Sequence, residues 1–401
     1  MEKVLLLTAI LIFGYGLFSQ AASRSPITAP MVFVTVGILL SPLMLDVFNV
    51  KLTAEPVKII TEITLILVLF IDSSTIDIRS LLHHWKIPVR LLFIGLPLTM
   101  LLGSISAYVL FPEINLWLIL MMTFILSPTD AALGQAVVTS DKVPLKTRES
   151  ISVESGLNDG IALPPILVCI AAYSATEDTH LEMGYWVTFT LEQLIFGPFM
   201  GAVVGWLGGK LVDRASRSGW MNPTFQRLTS ASLAIMAYAF AELVHGNGFI
   251  AAFFGGLMLG IHTKKVREQI QEFGETESQQ MMLIVFLVMG LVMVPFAVNY
   301  WDGKAFLYAV LSLTVIRMVP VAISLIGSPL DWAAVGFIAW FGPRGIASVL
   351  YLLMVVLEVG VKGLEKPLSI IVLTVLLSVF LHGLTAVPLS KLYGRHAAQS
   401  D

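Results

Sequence analysis

Apolar runs of about 17 to 25 residues, the length at which one helix crosses a bilayer, recur along the whole of this 401-residue chain. They fall near residues 4–20, 28–45, 57–73, 88–110, 115–138, 148–174, 185–211, 227–244, 248–262, 279–298, 304–326, 332–357 and 367–390, thirteen in all. Backbone polar groups find no water inside a bilayer, so such segments satisfy themselves as helices and the expected class is an all-α polytopic membrane protein. Composition excludes an ordinary soluble enzyme: 57% of residues are apolar and 13% charged, against roughly 25% charged in soluble domains. A net charge of −3 offers no basic surface to nucleic acid. Cys169 is the single cysteine, so no intrachain disulfide forms. Met1 to Ser25 also reads as a signal peptide, with Lys3, an apolar core from Val4 to Phe18 and then Ala21-Ala22-Ser23, but the same stretch serves as a short first span.

Thirteen spans put the two termini on opposite sides, and the Lys and Arg count per loop selects which. Loops after odd-numbered spans hold sixteen: Arg24; Arg79, Lys86 and Arg90; Lys142, Lys146 and Arg148; Lys210, Arg214, Arg217 and Arg227; Lys264, Lys265 and Arg267; and Lys391 and Arg395. The other side holds six, namely Lys3, Lys51, Lys58, Lys304, Lys362 and Lys366. The amino terminus is therefore expected outside and the carboxyl terminus in the cytoplasm of a cell (inner or plasma) membrane protein. About ten residues follow the last span, so no appended nucleotide-binding or regulatory domain is expected. The polar, mixed-charge stretch His262 to Gln280 reads as a solvated connector.

Two spans carry breaks at their centres: Ser127-Pro128-Thr129-Asp130 in span 5 and Gly342-Pro343-Arg344-Gly345 in span 12. Proline removes a donor and clashes with the preceding turn, and freed backbone groups at membrane depth survive only against protein or a wet cavity. A simple proline kink is the plainer reading, but each break also carries a charge. Asp130 is expected at the positive amino end of the second half of span 5, and Arg344 near the negative carboxyl end of the first half of span 12. Each break lies in the fifth span of a six-span set, counted from span 1 and from span 8, and the offset of seven makes the two run antiparallel. Inverted six-helix repeats with crossed discontinuous helices are the architecture of secondary transporters.

Span 6 contains Val153-Glu154-Ser155-Gly156-Leu157-Asn158-Asp159-Gly160. A carboxylate at this depth costs at least ~2.5 kcal/mol, so two within six residues demand partners or a function. On a helix Glu154 and Asn158 are four apart, as are Ser155 and Asp159, which puts two polar pairs on adjacent strips of one face. Their oxygens, with those of Thr129 and Asp130 opposite, suit a hard monovalent cation for the reason that oxygen suits calcium and magnesium. Intramembrane carboxylates also pair simply with arginine, and that is the favoured reading for Glu154, because Arg317 and Arg344 are buried guanidiniums in need of a partner. Asp159 is then left without one.

Thr129-Asp130 in a broken fifth span, Glu154-Ser155-Gly-Leu-Asn158-Asp159-Gly160 in the sixth, Arg317 in the eleventh and Gly-Pro-Arg344-Gly in the twelfth together resemble the NhaP-type sodium/proton exchangers of the monovalent cation:proton antiporter family. Asn158-Asp159 matches the Asn-Asp branch rather than the Asp-Asp of electrogenic relatives. The resemblance implies that Asp159 binds cation and proton in turn, with Asp130, Ser155 and Thr129 as co-ligands and Glu154 bridged to Arg317. It also implies a homodimer and no cofactor. Scaffold or interface helices are expected in 1–75 and 185–300 and an ion-binding core in 88–174 and 304–390, within one membrane domain over 1–401. Two departures stand out: Ala131 follows Asp130 where the family has proline, and Pro343 replaces the leucine of Gly-Leu-Arg-Gly. A shared carboxylate that holds a proton or a sodium (or lithium) ion, never both, couples the two gradients. With a neutral Asn158 the expected exchange is one cation for one proton, which moves no net charge and escapes the membrane potential, worth about 2.3 kcal/mol per charge per 100 mV.

Other activities draw on the same residues. Potassium/proton exchange uses the same scaffold, since cavity size decides selectivity. A channel also lines its path with oxygens. An enzyme is disfavoured, because Gly-x-Gly-Asp, Gly-x-Ser-Gly and His-Glu-x-x-His are all absent. Asp72 closes span 3 and suits a cytoplasmic entrance or plain solvation. Glu192 and Glu242 read as interface charges, and His382 reads as a hydrogen-bonded packing residue more than a pH sensor. Gly201, Gly205 and Gly209 form a small-residue ridge for close helix packing, at a dimer interface or within one protomer.

Overall fold

The computed structural model describes residues 2–22, 25–48, 52, 54–76, 85–130, 133, 135–138, 140–177, 183–260 and 264–400. Arg24, Lys51, Arg79 and Ala131 lie outside the described residues. In chain order the helices are α1 (Glu2–Ala22), α2 (Ala29–Leu40), α3 (Glu55–Thr75), α4 (Lys86–Leu110), α5 (Leu116–Ile125), α6 (Gln135–Val138), α7 (Leu145–Glu177), α8 (Met183–Arg217), α9 (Pro223–Leu243) and α10 (Gly248–Leu259). There follow α11 (Lys264–Val288, continued by a π turn and short helical turns to Tyr300), α12 (Gly303–Ser324), α13 (Trp332–Trp340), α14 (Ile346–Val359) and α15 (Glu365–Ser400). Each of the thirteen expected spans has its helix, with spans 5 and 12 each split in two, and the chain is a multi-pass membrane protein.

Asparagine and aspartate side chains set where several helices begin. Asn115, Asn222, Asn247, Asp302 and Asp331 each accept a backbone N–H from the first turn of the following helix, at 2.8 to 3.0 Å. Within the stretch His262 to Gln280, expected as a solvated connector, the chain from Lys264 onward is already the first part of α11, and His262 lies outside the described residues. That stretch reads as polar because α11 extends beyond its apolar span; Gly274 is buried and packs on Ile71.

Packing follows small residues, as it must where lipid removes the hydrophobic drive between helices. Gly197, Gly201 and Gly205 of α8 face the α10 backbone at Asn247, Ala251 and Gly255, so closely that a Cβ on Gly201 or Gly205 would overlap it. The glycine ridge is thus used within the protomer at these positions. Gly256 of α10 meets the α3 backbone at Phe70, and Gly37 of α2 meets α11 at Leu287 to Leu291. These contacts join α2, α3 and α8 to α11 into one group of helices. Helices α4 to α7 pack with α12 to α15 in a second group, and α3, α8, α10 and α11 meet α7 and α14 along the seam between them.

Candidate functional site

The two broken spans meet where they break. Helix α5 stops at Ile125, and α13 stops at Trp340 with Phe341 to Gly345 in non-helical form before α14 begins. The Asp130 N–H donates to Pro343 O at 2.9 Å, and Ser348 Oγ donates to Ile125 O at 2.7 Å, so each break supplies what the other lacks.

Each charge was expected to offset the dipole of its own helix, and among the described residues each is seen to serve the other span. Asp130 Oδ2 accepts the Ile346 N–H at 2.8 Å, at the amino end of α14. Arg344, fully buried, donates through Nη1 to Ser127 O at 2.5 Å and Pro128 O at 3.1 Å, two carbonyls just past the end of α5. The physical sense of the expectation survives, since an anion sits at a helix amino end and a cation at a carboxyl end. The crossing of the two spans exchanged the partners. Gly345 permits this: any Cβ there would overlap the Asp130 carboxylate. Gly342 likewise lies against Arg317 Nε and the Thr129 methyl.

Helix α7 brings the span 6 residues to the crossing. Glu154 and Arg317 are paired as expected, in two contacts, Nη2 to Oε2 at 2.8 Å and Nη1 to Oε1 at 2.6 Å, with both side chains almost wholly inaccessible. The other polar residues divide differently from the predicted i, i+4 pairs. Ser155 Oγ donates to Thr129 O at 2.5 Å and Asn158 Nδ2 donates to Thr129 Oγ1 at 2.7 Å, so an i, i+3 pair holds Thr129 while Glu154 turns away to α12. Asp159 is buried, interacts electrostatically with Asp130 and Asp72, and keeps its Oδ1 without a hydrogen-bond partner among the described residues; the same is true of Asn158 Oδ1. Asp72 is half-buried on α3, and its backbone carbonyl lies near Gly156. Oxygens of Asp159, Asp130, Thr129, Ser155 and Asn158 thereby gather around the break, and among the described residues no three His, Cys, Asp or Glu side chains assemble as a metal cluster.

Sequence reasoning missed three participants. Tyr351 OH donates to the Asp159 carbonyl at 2.9 Å, Ser348 ties the breaks together, and Ser378 accepts the Arg344 N–H at 2.7 Å. Lone hydroxyls in apolar spans carry little signal, because they can return to their own helix carbonyls. His382 is buried and hydrogen-bonded, in keeping with a packing role. Glu242 does more than meet solvent, since its Oε1 accepts the Gly248 N–H at the start of α10.

The family model of transmembrane sodium/hydrogen exchangers matches residues 7–392. A Na(+)/H(+) antiporter 2 of Zygosaccharomyces rouxii is 26% identical over 332 residues, 78% of this chain and 41% of its own length. A K(+)/H(+) antiporter NhaP2 of Shewanella sp. (strain ANA-3) is 23% identical over 399 residues, 96% of this chain and 66% of its own length. The chain therefore spans less than two thirds of either relative. The solved structure of the sodium proton antiporter MjNhaP1 from Methanocaldococcus jannaschii at pH 8 aligns with a TM-score of 0.77 at 19% identity, covering 98% of this chain and 99% of that one. The fold is shared across the whole chain.

Proposed function

Because the chain belongs to the family of transmembrane sodium/hydrogen exchangers, we propose that it is a secondary active antiporter that exchanges a monovalent cation, sodium or lithium, for a proton. The observation that supports this most directly is Asp159 Oδ1, a buried carboxylate oxygen with no hydrogen-bond donor among the described residues, in electrostatic contact with Asp130 of the broken span 5. A lone buried carboxylate is stable when it holds a proton or a cation and costly when it holds neither. Competition for that one group couples the two fluxes.

Thr129, Ser155 and Asp130 are the proposed co-ligands. Ser155 Oγ and Asn158 Nδ2 already hold Thr129, so its hydroxyl is oriented before an ion arrives and the ordering cost of binding falls. A site of mostly neutral oxygens with few carboxylates suits a single positive charge better than two. Glu154 is assigned to Arg317 and carries no ion. With Asn158 neutral, one proton is exchanged for one cation. The helices of 88–174 and 304–390 form the ion-binding core in this reading and those of 1–75 and 185–300 the scaffold, through which two copies pair. The amino terminus faces outward. Potassium is the second reading, favoured by the printed activity of the NhaP2 relative.

Proteoliposomes test both. Proton efflux driven by sodium, lithium and potassium at several pH values ranks the cations, and a potassium-valinomycin clamp reads the charge balance. Sodium-driven flux that ignores the clamp is expected; a rate that follows the imposed voltage refutes the one-for-one cycle. Asp159→Asn abolishes flux while the protein still folds, and normal transport by that variant overturns the site.

A further inference from the structure

Had span 12 continued as one helix, the Arg344 N–H would have bonded to Trp340 O four residues back. The break removes that bond and leaves both groups buried, next to the segment that holds Asp130. Helix α15 spans the gap. The Arg344 N–H donates to Ser378 Oγ at 2.7 Å, Ser378 Oγ lies 3.1 Å from His382 Nδ1, and His382 Nε2 lies 3.0 Å from Trp340 O. A carbonyl only accepts, so Nε2 carries a proton toward Trp340 O; Nδ1 lies 3.2 Å from the Ser378 carbonyl as well as against the Ser378 hydroxyl. Ser378 Oγ thus accepts the Arg344 N–H and is hydrogen-bonded to Nδ1. Four groups form a single hydrogen-bonded chain, and Ser378 and His382 are four apart on one face of α15. Trp340 O also accepts the Gly342 N–H at 2.8 Å, and the Trp340 and His382 rings lie 5.1 Å apart.

We infer that Ser378 and His382 are positioning residues, replacing the missing helix bond of span 12 and holding the crossing segment so that Asp130 stays at the ion site. The residues on either side of Arg344 make the connection to function: Pro343 O accepts the Asp130 N–H and the Ile346 N–H donates to the Asp130 carboxylate. A shift of the segment moves both. This inference rests on the antiport reading for its consequence, but the hydrogen-bond chain is measurable without transport.

The transport test compares apparent KM for sodium in proteoliposomes. Ser378→Ala and His382→Leu are expected to raise KM roughly tenfold, the scale of one buried donor or acceptor losing its partner, with smaller changes in maximum rate. Ser378→Thr and His382→Gln keep a hydroxyl and a donor and are expected to stay within about threefold of the parent, while the double variant Ser378→Ala/His382→Leu is no worse than either single one because both cut the same chain. Thr385→Val is the control. It removes the acceptor of Trp340 Nε1, 3.1 Å away, without touching the break, and leaves KM unchanged. Parent-like KM in the two disruptive variants, or an equal rise in Thr385→Val, overturns the inference. Nitrogen NMR of histidine-labelled protein, with the His382 signal assigned by difference from His382→Gln, reads the tautomer whether or not the protein transports. A protonated Nε2 is expected; a tautomer with Nε2 bare refutes the chain. A parent protein with no cation-driven flux but the expected tautomer would fail the antiport reading alone.

Discussion

Replacing Glu154 by Gln removes one charge from a pair that is sealed on every side. The Glu154 and Arg317 side chains are 2% and 1% exposed and meet in two contacts of 2.8 and 2.6 Å. Gln keeps the shape and one acceptor, so the loss is almost purely electrostatic: Arg317 stays charged with no carboxylate against it, and the second buried guanidinium, Arg344, is held by carbonyls alone. Breaking a buried pair from one side costs about 3–5 kcal/mol, because the surviving charge has already left water. At the entropy of unfolding expected for a chain this long, that lowers the melting temperature by roughly 4–6 °C. The assay is thermal unfolding of purified protein in detergent, followed by retention of the monodisperse peak on gel filtration. A second substitution supplies the control. Glu154→Gln/Arg317→Met removes both charges, and the double variant is expected to recover most of the loss, since an ion pair exchanged for uncharged groups of similar volume is close to neutral. A Glu154→Gln protein that melts within about 1 °C of the parent, or a double variant no more stable than the single one, refutes the view that this pair matters as a pair.

Gly345→Ala tests the close approach of the two breaks. Its Cβ would overlap the Asp130 carboxylate, which cannot retreat without losing the Ile346 N–H, so exchange is expected to fall at least ~tenfold, equivalent to about 1.4 kcal/mol; parent-like transport would show that the crossing tolerates a wider gap. At the start of α12, Asp302 accepts a hydrogen bond from Lys366 at 2.7 Å and another from the Ala305 N–H at 2.8 Å, and these, with the lysine charges nearby, hold its carboxyl below its ordinary value. A folded-state pKa below the unfolded one stabilises above the unfolded value near ~3.9, and the gain disappears as pH falls through the folded value. The stability gap between the parent and Asp302→Asn is therefore expected to be constant near neutrality and to close below about pH 4, and to stay under about 1 kcal/mol because the aspartate is half exposed. A gap that widens on acidification contradicts the assignment.

The sequence alone determined the number of spans, the two broken helices, and the short list of charges that cannot sit in a bilayer unpaired. Hydropathy, proline placement and the cost of a buried charge are properties of one segment at a time, so they are legible along a line. Glu154 with Arg317 was legible for the same reason, since a buried arginine needs a carboxylate and few were on offer. Tertiary structure decided everything that depends on which segments cross. Asp130 caps α14, more than 200 residues away; Arg344 closes the end of α5; and Ser155 joins Asn158 on Thr129. The helix dipoles dictate which sign of charge each end wants, but both breaks present the same choice of ends. Only the antiparallel crossing, with Gly345 close enough to bring Asp130 onto the Ile346 N–H, selects between them.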